Sequence, residues 1–253
     1  MKVTRLPVEI WFHPNPSASE TNFEGDILNL ITAKTLLLLD RGFYHFHFFK
    51  KIINAQAHFI TRLKAKAGIQ VIQVFTSNYL VKDQLIKLGT GRRGTPILTL
   101  RLVKITVGKT SYSYLTSVLY PRILHPHVVA DLYRRRWRIE EAFHTVKQLL
   151  GLSYLWTGSI NGVKLQVWAT WLFYAVLIDL GDAVADELSL PFDRISLEMM
   201  YRGLYHFSVA YNKSRADDPV KYFAAPENQD LGVVNYLRKP ILKLDLSSFP
   251  APT

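Results

Sequence analysis

Residues 133–147 have the sequence YRRRWRIEEAFHTVK, in which Tyr133, Arg136, Glu140 and Lys147 follow one another at intervals of three, four and seven residues. On an uninterrupted α-helix, at about 100° per residue, these four side chains fall on one side. One helix face would then present a carboxylate, two cations and a phenol. Carboxylates bind divalent metal ions, and cations and hydroxyls bind phosphate oxygens, so this face suits phosphodiester chemistry. An exposed helix with an ordinary i,i+4 ion pair between Arg136 and Glu140 is the alternative interpretation.

A second informative stretch, LLLLDRGFY, covers residues 36–44. The short apolar run from Thr35 to Leu39 predicts a buried strand, which delivers Asp40 at its C-terminal end. In an open sheet the C-terminal ends of strands line the functional crevice, so Asp40 is well placed to meet a metal ion. The alternative is that Asp40 merely begins a turn.

Together the two stretches resemble the DDE transposases of bacterial insertion sequences that carry the YREK signature. Every fixed position of Y-x2-R-x3-E-x6-K is matched, Asp40 begins the D-R-G-[FY] motif, and the likeness covers most of residues 2 to 180. The resemblance implies an α/β fold with a ribonuclease-H-like core, a mixed sheet flanked by helices that a β-rich insertion interrupts. It also implies that Asp40 and Glu140 are catalytic and share Mg2+, which Mn2+ can replace, and that Tyr133, Arg136 and Lys147 bind DNA.

The order of the sequence signals predicts four regions. Residues 1–66 form the N-terminal part of the core without its first strand, and residues 67–120 form the basic insertion. Residues 121–211 complete the core, and residues 212–253 form a polar, loosely ordered tail. We expect these elements: a strand at 6–12, helices at 22–31 and 45–55, a strand at 57–64, three strands within 68–119, and helices at 126–151 and 194–205.

The charge of the chain favours a polyanionic partner. The net charge is +11, and the segment from Lys50 to Lys109 contains twelve Lys or Arg residues but a single acid, Asp83. Such a surface fits double-stranded DNA. The resemblance implies that this DNA is the terminal repeats of an insertion sequence and that a homodimer binds it in a synaptic complex. A catalytically inactive DNA-binding protein is the first alternative, and a protein that binds a membrane surface is the second.

Other features bear on location. The chain has no Cys and no secretory leader, so we expect a cytoplasmic protein. The apolar run from Val167 to Ile178 is too short to span a membrane, which takes about twenty residues, and predicts a core helix packed against the sheet.

The number of carboxylates argues against activity of this chain alone. The family uses three acids, and the first lies upstream of the D-R-G-[FY] strand. Only Glu9, Glu20, Glu24 and Asp26 precede Asp40, and none lies at a matching position. The sequence therefore predicts a truncated copy that lacks the first catalytic Asp, with an inactive DNA-binding remnant as the alternative.

Overall fold

The computed structural model describes residues 5–15, 17–64, 68–91 and 94–234. These residues form two compact units. The first contains the described residues from 15 to 137, and the second contains residues 5–14 together with 138–234. The chain passes from the first unit to the second between Trp137 and Arg138.

A six-stranded mixed sheet organises the first unit. Its strands are β1 (Leu36–Leu38), β2 (His58–Arg62), β3 (Ile69–Ser77), β4 (Val81–Leu88), β5 (Leu98–Val107) and β6 (Thr110–Thr116). The strand order is β1-β2-β6-β5-β4-β3; β1 and β2 are parallel and every other pair is antiparallel. The strands expected at 57–64 and within 68–119 are thus present. The sequence prediction missed β4, whose Lys and Asp residues conceal its alternating pattern.

Side-chain alternation along the strands builds two cores, one on each face of the sheet. On one face, α1 (Glu24–Leu30) and α2 (Phe46–Asn54) cover residues such as Ile86, Leu100 and Leu115. On the other face, α3 (Pro126–Arg135) covers Ile60, Val103 and Tyr114. Strands β3 to β6, which belong to the predicted insertion, therefore continue the sheet begun by β1 and β2. The four-region division of the chain remains a prediction.

The helix expected from residue 126 to residue 151 is interrupted, and that expectation was wrong. Pro126 does begin α3. Proline is favoured at this position because the first residue of a helix has no carbonyl partner within the helix for a backbone N–H. The helix ends at Arg135, α4 (Trp137–His144) follows, and Thr145–Leu149 forms one turn of π-helix. Gly151, with a φ of +78°, supplies the left-handed residue after it. Residues 133–147 are therefore helical but not one uniform α-helix, and the shared face of Tyr133, Arg136, Glu140 and Lys147 stays a prediction.

The second unit is helical, with α4, α5 (Ile160–Glu187), α6 (Leu197–Asn212) and α7 (Pro219–Ala224). The strand expected at 6–12 is absent, because residues 5–14 make no strand pairing. The tail was also predicted wrongly as far as residue 234, since Asp218 caps α7 and a 3-10 helix follows at Pro226–Leu231. The remainder, 235–253, lies outside the described residues.

Helix α5 is longer than its predicted apolar run of twelve residues. It has 28 residues and, within the described part of the chain, is the single helix long and apolar enough to cross a membrane by length and composition. One side of α5 packs against α6 and α7. In the most apolar stretch of 18 residues in α5, 33% of the residues are buried.

The mixed α/β class is confirmed. A six-stranded mixed sheet flanked by helices is consistent with the ribonuclease-H-like class that the sequence predicts.

Candidate active site and nucleic-acid interface

Asp40 stands at the C-terminal end of β1, as expected. The backbone N–H of Leu39 donates to the carbonyl of Ile60 at 2.9 Å, which extends the pairing of β1 with β2 to the residue before Asp40. Asp40 then begins a short 3-10 helix at Arg41–Phe43, but its side chain makes no capping hydrogen bond. The carboxylate is 51% exposed. It is therefore fixed by the strand and still accessible from solvent.

Arg136 forms an ion pair with this carboxylate. Its Nη1 lies 3.7 Å from Asp40 Oδ1, an ion pair that is longer than a hydrogen bond. The guanidinium is only 13% exposed and lies 5.8 Å from the ring centroid of Tyr133 and 5.5 Å from that of Trp137. Two aromatic rings thus flank the Arg136 guanidinium, which forms an ion pair with Asp40.

Tyr133 completes the group. Its ring is buried in the core that α3 forms on the sheet, 5.4 Å from the ring of Tyr114. Burial raises the pKa of the Tyr133 phenol above 10.0, and Asp40 raises it further, while Arg136 and Arg62 oppose the shift. The phenol therefore keeps its proton at neutral pH and can donate it in a hydrogen bond to an anionic oxygen.

Arg62 is a candidate that the sequence analysis missed. It ends β2, and its guanidinium lies 5.7 Å from the ring centroid of Tyr112. Burial raises the pKa of both Tyr114 and Tyr133, and the charge of Arg62 opposes that rise. Arg62 thus adds a second guanidinium to the group of Asp40, Tyr133 and Arg136. The signal in the sequence is an Arg at the end of the strand that follows the Asp40 strand.

The other two arginines of the RRR run face a different partner. Arg134 and Arg135 both donate to Asp131, with an Nη2 to carboxylate distance of 2.9 Å in each case. Burial would raise the pKa of Asp131, but the hydrogen bonds and charges of these arginines outweigh it and lower that pKa. Asp131 therefore compensates one of their two positive charges within α3, while Arg136 pairs with Asp40.

Glu140 and Lys147 belong to the second compact unit. Glu140 is exposed in the first turn of α4, where a carboxylate interacts favourably with the helix dipole. Lys147 is exposed in the π-helical turn, and its Nζ lies 5.6 Å from the ring centroid of Phe143. The expectation that Asp40 and Glu140 share one divalent ion stays a prediction, because the two residues lie in different units.

The π-helical turn is a local feature with a clear bonding pattern. The Thr145 hydroxyl donates to the carbonyl of Glu141 at 3.0 Å, and Leu150 N–H donates to Thr145 O, five residues earlier. Such turns occur often at functional sites. Lys147 lies within this turn.

The metal-binding capacity of the described residues is limited. No group of three or more His, Asp or Glu side chains in that part of the chain could hold a metal ion. A pair of divalent ions about 4 Å apart needs several carboxylates to neutralise it. Asp40 and Glu140 are suitable ligands for a divalent ion, but two carboxylates are too few to neutralise a pair of such ions.

Asp83, the single acid between Lys50 and Lys109, is buried and forms an ion pair with Arg101. Arg101 Nε and Nη2 donate to the two carboxylate oxygens of Asp83, each at 2.7 Å, and both side chains are fully buried. Arg101 Nη1 also donates to Leu124 O at 2.6 Å, just before α3. This pair was missed, although a charged residue at an inward strand position signals it. Since Asp83 is paired, no other acid in that segment opposes its remaining cations.

Two of those cations are directly opposite each other on neighbouring strands, on the same face of the sheet. Lys82 on β4 lies directly opposite Lys104 on β5, and Ser113 on β6 is next in the same row. Lys82 is exposed and Lys104 half-buried. Like charges in directly opposite positions destabilise a sheet, so this pair favours an anionic ligand. Tyr79 in the neighbouring β3–β4 turn is 84% exposed.

Comparison with known proteins places these features in a family. The chain is similar to a putative transposase, y4zB, of Sinorhizobium fredii, with 28% identity over 150 residues, which are 55% of this chain and 41% of that protein. It is also similar to a probable transposase for insertion sequence element IS5377 of Geobacillus stearothermophilus, with 23% identity over 66% of this chain and 45% of that protein. The chain thus spans less than half the length of these two relatives.

A family model supplies the wider match. The model of the transposase DDE domain matches residues 3–176, a span that includes Asp40, Tyr133, Arg136, Glu140 and Lys147. Since this span is more than half of the chain, the chain belongs to the transposase DDE domain family.

Proposed function

We propose that the chain is part of a transposase that acts on the ends of an insertion sequence by metal-dependent hydrolysis of phosphodiester bonds and strand transfer. The observation that carries this proposal is the group at the end of β1, where the Asp40 carboxylate meets the guanidinium of Arg136 beside the Tyr133 phenol. This group combines an oxygen ligand for a cation with two donors for phosphate oxygens.

The proposed roles follow from the chemistry of each side chain. Asp40 and Glu140 are the metal-binding carboxylates, with Mg2+ as the natural ion and Mn2+ as its substitute. When bound, the metal would activate water and stabilise the leaving oxygen. Tyr133, Arg136 and Lys147 hold the phosphate next to the scissile bond. Double-stranded DNA of the terminal repeats is the substrate, and a homodimer in the cytoplasm brings two ends together.

We also propose that the third carboxylate lies outside these 253 residues. The described part of the chain has no group of three acidic or histidine side chains suited to a metal. Two carboxylates leave a pair of divalent ions under-neutralised, so the chain alone should bind DNA without cutting it. A DNA-binding remnant without catalysis is the second candidate function, favoured by the same count of carboxylates and by the cations around Lys82 and Lys104.

A cleavage assay tests the proposal. A labelled duplex that ends in the terminal repeat is incubated in Mg2+ or Mn2+ with the 253-residue chain, or with a longer polypeptide of the same transposase that supplies an upstream Asp. We expect binding without nicking by the chain, and nicking by the longer form that Glu140→Ala abolishes. Nicking by the chain alone would refute the missing carboxylate. A longer form that binds the ends but never nicks would leave the remnant function.

A further inference from the structure

Helix α5 has an exposed apolar stripe along one side. The stripe contains Leu165 (70% exposed), Trp168 (44%), Leu172 (67%) and Val176 (54%). At about 100° per residue these four side chains lie within roughly 40° of the direction of Leu172. The opposite side of α5 is buried, with Tyr174, Leu177 and Val184 in contact with the helical cores of its unit. A row of large exposed apolar side chains is typical of an interaction surface.

The stripe is continued by an apolar groove. The groove has a volume of about 350 Å³ and lies between Pro7–Ile10 and the side of α5 that carries Trp168, Trp171, Leu172 and Ala175. It belongs entirely to the second compact unit. The apolar surface is therefore wider than one row of side chains.

The spacing of the stripe makes it self-complementary. The intervals from Leu165 to Trp168, Leu172 and Val176 are three, four and four residues, close to the repeat of a helix–helix seam. When two copies of α5 lie antiparallel with Leu172 against Leu172, Trp168 of each copy faces Val176 of the other. The same residues then fill both halves of a two-fold symmetric contact.

Charge selects the antiparallel direction. Lys164 and Asp179 are both exposed near the two ends of the stripe. Asp179 lies about 20° from the direction of Leu172 and Lys164 about 80° from it, with the Lys164 Nζ 5.6 Å from the ring centroid of Phe12. In the antiparallel pair, Lys164 of one copy approaches Asp179 of the other at each end. A parallel pair would place Asp179 beside Asp179 and Lys164 beside Lys164. The antiparallel pair also opposes the two helix dipoles.

We infer that α5 is a homodimer interface, in which two copies of this chain pair antiparallel through Leu165, Trp168, Leu172 and Val176 about a two-fold axis at Leu172. This names the surface of the homodimer included in the proposed function. The pairing needs no DNA or metal. Its failure would leave DNA binding intact, and a failure of DNA binding would leave the pairing intact.

Sedimentation equilibrium without DNA gives the first test. The wild-type chain should form a dimer, and Leu172→Glu should weaken its association at least about tenfold, because it places two carboxylates together on the axis. The matched control is Tyr205→Glu, which removes an exposed aromatic residue from α6 in the same unit. A monomeric wild-type chain, or equal effects of both variants, would overturn the inference.

Cysteine cross-linking tests the register, because the chain contains no Cys of its own. At a helix separation of about 8–10 Å, facing Cα atoms at the axis come within disulfide reach. Under an added oxidant, Leu172→Cys should form a covalent dimer. Leu165→Cys should not pair with itself but should pair with Asp179→Cys when the two variants are mixed. Cross-linking of Tyr205→Cys as efficient as that of Leu172→Cys would indicate non-specific association and overturn the inference.

A membrane is the competing occupant of this surface, since α5 is long and apolar enough to enter one. Sedimentation with vesicles of neutral and anionic phospholipid separates the two. Vesicle binding that Leu172→Glu removes, together with a monomer in solution, would contradict the dimer. No vesicle binding, with a Leu172-dependent dimer, is the expected result.

Discussion

Arg136 Nη1 lies 3.7 Å from Asp40 Oδ1, so the guanidinium in the break between α3 and α4 faces the carboxylate at the end of β1. These two residues are 96 positions apart in the sequence, and the packing of α3 on the sheet brings them together. Arg136 thus has a different partner from Arg134 and Arg135, which both donate to Asp131.

The first prediction distinguishes the contribution of Arg136 to DNA binding from that of Arg134. If Arg136 contacts a phosphate, Arg136→Ala should weaken binding to all duplexes alike and reduce the slope of log affinity against log salt by about 1. Lys147→Ala should behave in the same way. Arg134→Ala is the matched control and should reduce the slope less, because Arg134 shares an ion pair with Asp131 that its removal leaves to Arg135. Fluorescence anisotropy with labelled DNA measures each slope, and an equal loss in all three variants would point to bulk charge alone.

The second prediction concerns the facing pair Lys82 and Lys104. Removing one cation relieves their repulsion, so Lys82→Ala should raise the free energy of unfolding by about 0.2–1 kcal/mol. The Lys82→Ala/Lys104→Ala double variant should at the same time reduce the salt slope of DNA binding by about 2. Lys87→Ala, on the opposite face of β4, is the control. Urea unfolding measures the stability, and fluorescence anisotropy measures the DNA affinity. An unchanged DNA affinity of the double variant would show that this face of the sheet does not contact DNA.

The third prediction concerns the buried pair of Asp83 and Arg101. Asp83→Ala leaves a buried guanidinium without its carboxylate and should cost about 3–5 kcal/mol of stability. The double variant Asp83→Leu/Arg101→Met removes both charges and should recover most of that loss. Urea unfolding compares the three proteins. A small cost for Asp83→Ala would mean that water enters the site and that the pair does not secure Leu124 at the start of α3.

The fourth prediction follows from His127, which is buried on α3. Burial lowers its pKa below the ordinary 6.5, and His125 lowers it further. The unfolded chain therefore takes up a proton near pH 6.5 that the folded chain refuses until a lower pH. This contribution to stability is present above pH 6.5 and is lost as the pH falls below that value.

Unfolding midpoints between pH 7.5 and 5 should accordingly fall for the wild-type chain, and fall less for His127→Gln. His47→Gln, at an exposed position on α2, should follow the wild type. Identical pH profiles for the wild type and His127→Gln would rule out His127 as the source of the acid sensitivity.

The sequence predicted the parts of the fold that local pattern controls. Strands β5 and β6 and Pro126 at the start of α3 appear as expected. The apolar run before Asp40 also forms a strand, but this strand lies at the edge of the sheet and its three residues are half-buried rather than buried. Strand β4 was missed because Asp83 occupies an inward position that an apolar residue would normally fill, and only Arg101 on the next strand makes that tolerable.

The arrangement of the candidate site was harder to predict. The helical wheel grouped Tyr133, Arg136, Glu140 and Lys147 on one face of a uniform α-helix. In the structure a turn at Arg136 separates α3 from α4, and Lys147 lies within a wider π-helical turn. Neither feature has a Gly or Pro signal in residues 133–147. Arg62 joins the site through tertiary packing of β2 on α3, which no local pattern encodes.

The most direct test of DNA binding by this chain is the affinity of the 253-residue protein for duplex DNA as a function of salt. Cations such as Arg136, Lys82 and Lys147 would displace counterions from the phosphates. We therefore predict a linear fall of log affinity with log salt, with a slope of about −0.9 for each phosphate contacted. An affinity that is independent of salt, or no affinity for duplex DNA at low salt, would contradict the proposal that this chain binds DNA through its phosphates.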